Sequence, residues 1–206
     1  MNIFLIIILG IIIASFILET ITNILNLSTF QKSPPEEFKD SFPPEKYSKS
    51  QSYLKDNTKF SLLHSTISII ITIVFILFGG FNVIDLLIRS SVTDPILLGI
   101  CYFFTLIGLT SIIEIPFTIY HTFILEKKYE FNKTTPKTFI LDRIKSLFLS
   151  LLFGTPLLYA ILWFFSYYEN KAWIICWGFM ILFQIFMMTI TPNWILPLFN
   201  KFEIIE

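Results

Sequence analysis

The string PILLGICYFFTLIGLTSIIE, residues 95–114, runs from Pro95 to Ile113 without a charge before it reaches Glu114. At 1.5 Å rise per residue such a run covers about 28 Å as a helix, close to the thickness of a bilayer's hydrocarbon core. Comparable uncharged runs occupy residues 1–18, 60–84, 146–168 and 172–200. Only 15% of the 206 residues are charged and 54% are hydrophobic, whereas a soluble domain carries roughly 25% charged residues. This composition excludes a soluble enzyme, and the five runs predict an all-α polytopic transmembrane domain of about five spans. No basic residue precedes the first run, which is too long for a signal core and lacks a small-residue cleavage site. It therefore reads as a retained signal anchor.

Fifteen Lys and Arg balance fifteen Asp and Glu, and no basic run exists that would hold nucleic acid. Twelve of the fifteen basic residues fall within 19–59 and 114–145, leaving Arg89, Lys171 and Lys201 elsewhere. With five crossings, those two segments share one side with the C-terminus, so the positive-inside rule predicts an outside N-terminus and a cytoplasmic C-terminus. The formal glycosylation acceptors Asn26-Leu27-Ser28 and Asn132-Lys133-Thr134 would then face the cytoplasm and stay unmodified.

Proline pairs at 34–35 and 43–44 punctuate the first polar segment, and a polar helix is expected to restart near Pro44 and feed the second span. Gly79-Gly80 ends the strongest part of that run. The segment from Phe81 to Asp94-Pro95 reads as an outer connection. Thr135 followed by Pro136 has the order of an N-cap and a first helical residue. Ile140, Ile144, Leu147 and Phe148 then keep helical spacing, so the fourth helix is expected to begin before the bilayer and continue into it. Pro192 and Trp194 mark where the fifth leaves it.

Glu114 stands out chemically, because a carboxylate within a membrane helix must face protein, water or a partner. Its position near the end of its run leaves both an interfacial and a functional role open. His64 and His121 start no HExxH helix and read as hydrogen-bonded helix residues. Cys101 and Cys176 sit in apolar runs as small hydrophobes. No GxSxG, Walker loop, GxGxxG or CxxC occurs, so neither a catalytic nor a metal-binding residue is assigned within this chain. A transporter would show paired ionisable groups at mid-membrane or repeated halves, and neither is visible. The residues alone lead to a five-helix membrane protein with an ordered polar loop.

Three stretches carry a resemblance. TFILEKKYEFNKTTPKTFILD at residues 122–142 strongly resembles a signature of the CAAX prenyl protease 1 family of integral-membrane zinc metalloproteases. YSKSQSYLKDNTKF at 47–60 resembles that family's polar helix leading into the second span, and PLFNKF at 197–202 its segment just before the protease part. Glu130 stands where the family usually carries Gly. The resemblance implies that this is an N-terminal membrane domain, residues 1–206, with a zinc protease domain downstream. There, an HExxH helix and a further Glu would bind the zinc, and zinc-activated water would attack a peptide carbonyl. The spans would build the wall and substrate access of a water-filled chamber, with Glu114 facing its interior and Glu126, Asn132 and Thr135 organising the loop between spans three and four. Implied partners are the lipid bilayer, the downstream protease domain and a peptide or prenylated protein substrate. The implied location is the endoplasmic reticulum membrane in a eukaryote or the cytoplasmic membrane in a bacterium, where the substrates would be other membrane proteins. The alternative is a non-enzymatic multi-span scaffold or assembly subunit.

Overall fold

A computed structural model of the chain describes residues 2–30 and 43–199, and every regular element among them is helical. Lys32, Lys39, the prolines at 34 and 35, and the end of the third matching stretch at 200–202 lie outside the described residues. Helix α1 spans Ile3–Ser28, opened by Asn2, whose side-chain oxygen accepts the Phe4 N–H at 3.1 Å. The first span was expected to end at residue 18, yet the helix continues to Ser28. The reason is local: Glu19 to Ser28 contains no Gly or Pro, and Ile21, Ile24 and Leu25 extend the helical spacing. Glu19 and Asn26 are therefore helix residues and not loop residues.

Helix α2 spans Pro44–Leu77, with Pro44 in its first turn, where a missing N–H costs no helical hydrogen bond. Its 34 residues extend about 51 Å, well beyond the roughly 30 Å of hydrocarbon its apolar part needs. The polar first half, 44–59, is thus a continuous extension of a membrane helix. Gly79 closes α2 with φ of +70°, a left-handed conformation that glycine adopts without steric penalty. Gly80 then approaches the Phe75 ring so closely that a Cβ would lie 2.3 Å from it. Residues read as an outer connection instead form helix α3, Gly80–Arg89, which buries Ile84. Phe81, Ile84 and Ile88 at helical spacing supply the signal that the polar ends of that segment masked.

Helix α4, Pro95–Tyr120, is capped by Asp94, whose carboxylate accepts the Leu97 N–H at 2.7 Å. It contains Pro116 and passes without a break into a π-helical turn, His121–Glu126. Helix α5, Pro136–Tyr168, has Thr135 as its N-cap, and a 3-10 turn at Glu169–Lys171 leads into α6, Ala172–Ile190. A second π turn, Thr191–Ile195, and the short α7, Leu196–Phe199, complete the described chain.

Among the described residues, four stretches are long and apolar enough to cross a membrane: Ile3–Ser28, Pro44–Leu77, Pro95–Glu126 and Pro136–Phe199. The last has 64 residues, about 96 Å as one straight helix, three times the hydrocarbon thickness. It is folded back at Glu169, because Phe164 meets Phe179 at 5.5 Å and Phe153 meets Phe186 at 6.5 Å, the pairing of an antiparallel hairpin. Large apolar side chains such as Phe78, Leu182 and Met188 are 82%, 68% and 78% exposed. A water-soluble fold would not leave so much apolar surface open, and a bilayer covers it.

The chain divides into two compact units, Met1–Leu87 with Leu106–Lys133, and Ile88–Thr105 with Thr134–Glu206. In the second, a Cβ on Gly99 would lie 2.7 Å from a Leu162 methyl, so the small residue permits close helix packing. Lys145 donates to the Leu198 carbonyl at 2.7 Å, tying α5 to α7. Cys176 is buried and Cys101 half-buried, both as free thiols. The first unit packs α1 on α2 and α2 on the π turn after α4, and it holds the polar side chains considered next.

Candidate functional site

Along α2, Lys49, Tyr53, Asn57, Phe60 and His64 recur at intervals of three or four residues, so they share one helix face. That face meets α4, its π turn and the following loop, where Lys49, Asn57 and His64 each find a polar partner and Tyr53 an aromatic one. Lys49 pairs with Glu130. Asp56, one position off the stripe, accepts from the Lys128 ammonium at 2.6 Å and from the Tyr129 hydroxyl at 2.6 Å. The buried Tyr129 also reaches the Ser52 carbonyl at 3.0 Å, while Tyr53 packs edge-on against Tyr129 and Phe131. One turn further, His121 Nε2 lies 2.9 Å from Asn57 Oδ1, and its Nδ1 is 3.6 Å from Glu126.

The deepest rung pairs His64 with Glu114, both carboxylate oxygens lying 3.0 Å from the ring Nε2. The His64 ring packs on Phe117 at 4.4 Å, and Phe60 stacks on Tyr120 at 5.1 Å between the two histidines. Two half-buried polar groups facing each other satisfy part of the desolvation that either would carry alone in hydrocarbon. Glu114 also lines a cavity of about 350 Å³ together with Ser68, Thr72 and Thr110. The Ser68 hydroxyl is enclosed there without a hydrogen-bond partner among the described residues.

Electrostatics at the polar end follow from these pairs. The Asp56 carboxylate beside Lys128 holds its ammonium above the usual lysine range. Burial pushes the Tyr129 phenol up, and its hydrogen bond to Asp56 adds to the effect. Lys49 beside Glu130 holds that carboxyl below the usual range. Glu130 adopts φ of 62°, the left-handed region that favours glycine. This is the position where the resemblance led us to expect Gly.

Of the residues singled out in the sequence, Glu114 and Glu126 lie on the same continuous helix about 18 Å apart, each facing a histidine. The main-chain carbonyl of Glu126 also accepts the N–H groups of Tyr129 and Phe131 at 3.2 and 2.9 Å, closing the turn. Asn132 is half-buried at the end of that turn. Thr135 accepts the Thr138 N–H at 3.2 Å and caps α5. Sequence reasoning did not single out Asp56, Asn57 and Tyr129. For Asn57 the signal was the spacing of four from Tyr53 along a helix already expected to be polar; Asp56 lies one position off that stripe and Tyr129 lies in the turn after the π-helical stretch, so no such spacing marked them.

Zinc takes three or four protein ligands, and the described residues do not fit it: no group of three or more His, Cys, Asp or Glu converges among them. His64 with Glu114 and His121 with Glu126 are each pairs.

These features define a class: an all-α, polytopic membrane domain whose second and third long apolar helices are joined by a polar and aromatic ladder. The chain belongs to the CAAX prenyl protease N-terminal family, described as five membrane helices, whose sequence profile matches residues 23–201. It is 33% identical over 177 residues to the CAAX prenyl protease 1 homolog of Dictyostelium discoideum, covering 84% of this chain and 42% of that protein. It is 31% identical over 185 residues to CAAX prenyl protease 1 of Saccharomyces cerevisiae, covering 85% and 41%. The crystal structure of S. mikatae Ste24p matches all of this chain and 50% of its own, with a TM-score of 0.90 and 31% identity. The chain thus spans about half the length of the relatives it matches, and it is homologous to their membrane region.

Proposed function

We propose that this chain is the membrane domain of a zinc metalloendopeptidase that removes the last residues of prenylated CaaX C-termini or, in a bacterium, cleaves membrane proteins. The observation that carries the reading is the match of the whole chain to half of Ste24p at a TM-score of 0.90. In this reading five helices cross the bilayer, since the 64-residue stretch is folded back at Glu169. The excess of Lys and Arg in 19–59 and 114–145 favours an outside N-terminus and a cytoplasmic C-terminus. A protease domain beyond residue 206 supplies the zinc ligands, and the membrane is that of the endoplasmic reticulum in a eukaryote. Glu114 faces the chamber interior, a placement favoured by its pairing with His64 and its position on a hydroxyl-lined cavity. Glu126, Asn132 and Thr135 set the path of the chain between the third and fourth crossings.

The test compares residues 1–206 with the gene product extended through a downstream HExxH helix, each reconstituted in liposomes and given a farnesylated CaaX peptide. The extended protein is expected to release the C-terminal tripeptide and to stop when a zinc chelator is added. Residues 1–206 alone are expected to release none. Tripeptide release by residues 1–206, or chelator-insensitive release by the extended protein, would sink the proposal.

A further inference from the structure

A second cavity in the first unit, about 610 Å³, opens between the polar part of α2 and the π turn after α4. Its lining is divided lengthwise. Lys59, Lys128 and Asp56 stand at one end, and Phe60, Leu63 and Ile124 belong to the rest. Lys59 is the last charged residue before the uncharged run that starts at Phe60, and Lys128 follows the end of the apolar stretch that closes at Glu126. The Lys128–Asp56 bond of 2.6 Å holds these two boundaries at the same level. The cavity therefore begins where headgroups lie and runs along apolar side chains toward Pro116, about 18 Å further down the second wall.

The charges at the mouth sum to one positive. Asp56 is matched by Lys128, while the exposed Lys59 makes no ion pair with a described residue. An ammonium has three donors, and one of those on Lys128 is directed at Asp56. Lys59 and the remaining donors of Lys128 therefore present a cationic mouth above an apolar stem. Its volume lies in the range of small-molecule pockets. A zwitterionic headgroup would bring its own cation to an already positive mouth. An acidic one would be complementary.

We propose that this cavity binds one acidic glycerophospholipid, its phosphate between Lys59 and Lys128 and one acyl chain along Phe60, Leu63 and Ile124. A lysine near an anionic headgroup contributes about 1 kcal/mol, which is a factor of about five in affinity at 25 °C.

The experiment is native mass spectrometry of the full-length protein purified in detergent, titrated with dioleoyl phosphatidylglycerol, dioleoyl phosphatidylcholine or inorganic phosphate. One phosphatidylglycerol is expected to be retained in preference to phosphatidylcholine. Lys59→Gln should weaken it about five-fold, with unchanged thermal stability because Lys59 holds no structural pair. Lys127→Gln, a neighbouring lysine outside the cavity, should leave retention unchanged. Ile124→Trp should weaken both lipids by filling the stem without touching a charge. Equal retention of the two lipids, a Lys59→Gln affinity equal to the parent's, or phosphate binding as tightly as the lipid with the same Lys59 dependence would each overturn the proposal.

Discussion

The His64–Glu114 rung invites a double-mutant cycle, because both carboxylate oxygens approach one ring nitrogen at 3.0 Å while the two side chains remain 30% and 37% exposed to the surrounding medium. The perturbation is His64→Phe, Glu114→Leu and the pair together. Phenylalanine keeps the ring that packs on Phe117 at 4.4 Å, so the first change removes the polar contact with little loss of volume. Interhelical hydrogen bonds in membranes average about 0.6 kcal/mol with a maximum near 1.7, whereas stranding a buried polar partner costs roughly 1–3 kcal/mol. A two-oxygen contact between half-buried groups belongs near the top of the first range. Each single change should therefore destabilise by about 1–2 kcal/mol, and the pair together by little more than one of them, giving a coupling of about 1–1.7 kcal/mol. Glu114→Gln keeps an acceptor for the ring and should lose less than half as much as Glu114→Leu. The assay is unfolding of the full-length protein by SDS titration, followed by circular dichroism. Independent sites add to within about 0.5 kcal/mol, so additivity inside that margin would show that the two side chains do not support each other and would refute the ladder's deepest rung.

Four further outcomes rest on single features of the structure. Tyr129→Phe removes a hydroxyl that donates to Asp56 at 2.6 Å, with the Ser52 carbonyl as a second acceptor within reach at 3.0 Å; it should destabilise by about 1–2 kcal/mol and speed amide exchange in the 126–131 turn. Thr135→Ala deletes the α5 cap and should cost about 1 kcal/mol, whereas Thr135→Ser should restore most of it in the same SDS titration. Glu169 holds φ of 37°, a strain of order 1 kcal/mol or more for a residue with a side chain, so Glu169→Gly should raise the melting temperature and no change would count against that strain. Because the Glu130 carboxyl is held below its ordinary pKa of 4.5, the Lys49 pair contributes fully above that value and is lost as pH falls through the depressed one. The melting-temperature gap between the parent and Lys49→Gln should accordingly be full above pH 4.5 and narrow progressively as the pH is taken below it.

The membrane helices were legible because hydropathy acts over whole runs, and uncharged runs of about 20 residues have few other uses in a folded chain. Boundaries were less so. Glu19 ended the first run on paper, yet a single carboxylate does not stop a helix whose next residues keep the apolar spacing, so α1 continues to Ser28. The α3 segment failed differently: its Gly and Asp-Pro ends are genuine turn signals, and a helix of ten residues was too short to compete with those signals. Thr135-Pro136 succeeded because a cap is a local arrangement, decided by residues three apart.

Glu114 and its partner show where single-chain reading stops. A carboxylate beside an apolar run announces that it needs a partner, but the identity of that partner depends on the register of two helices whose facing residues lie 50 positions apart in the chain. Nothing in the spacing of α4 selects His64 over any other polar group. The spacing of α2 does restrict the choice, because Lys49, Tyr53, Asn57, Phe60 and His64 fall on one face. Once Lys49 meets Glu130 and Asp56 meets Lys128 at the polar end, two helices running side by side bring Asn57 to His121 and then His64 to Glu114. The register is thus set outside the hydrocarbon, by charges whose pairing is cheap to form in water, and transmitted inward to the one rung where an unpaired group would cost most. On this account Asp56→Ala, which removes the acceptor shared by Lys128 and Tyr129, should weaken the His64–Glu114 coupling as well as the polar end. The double-mutant cycle repeated on an Asp56→Ala background measures that directly, and an undiminished coupling would show that the inner rung holds its own register.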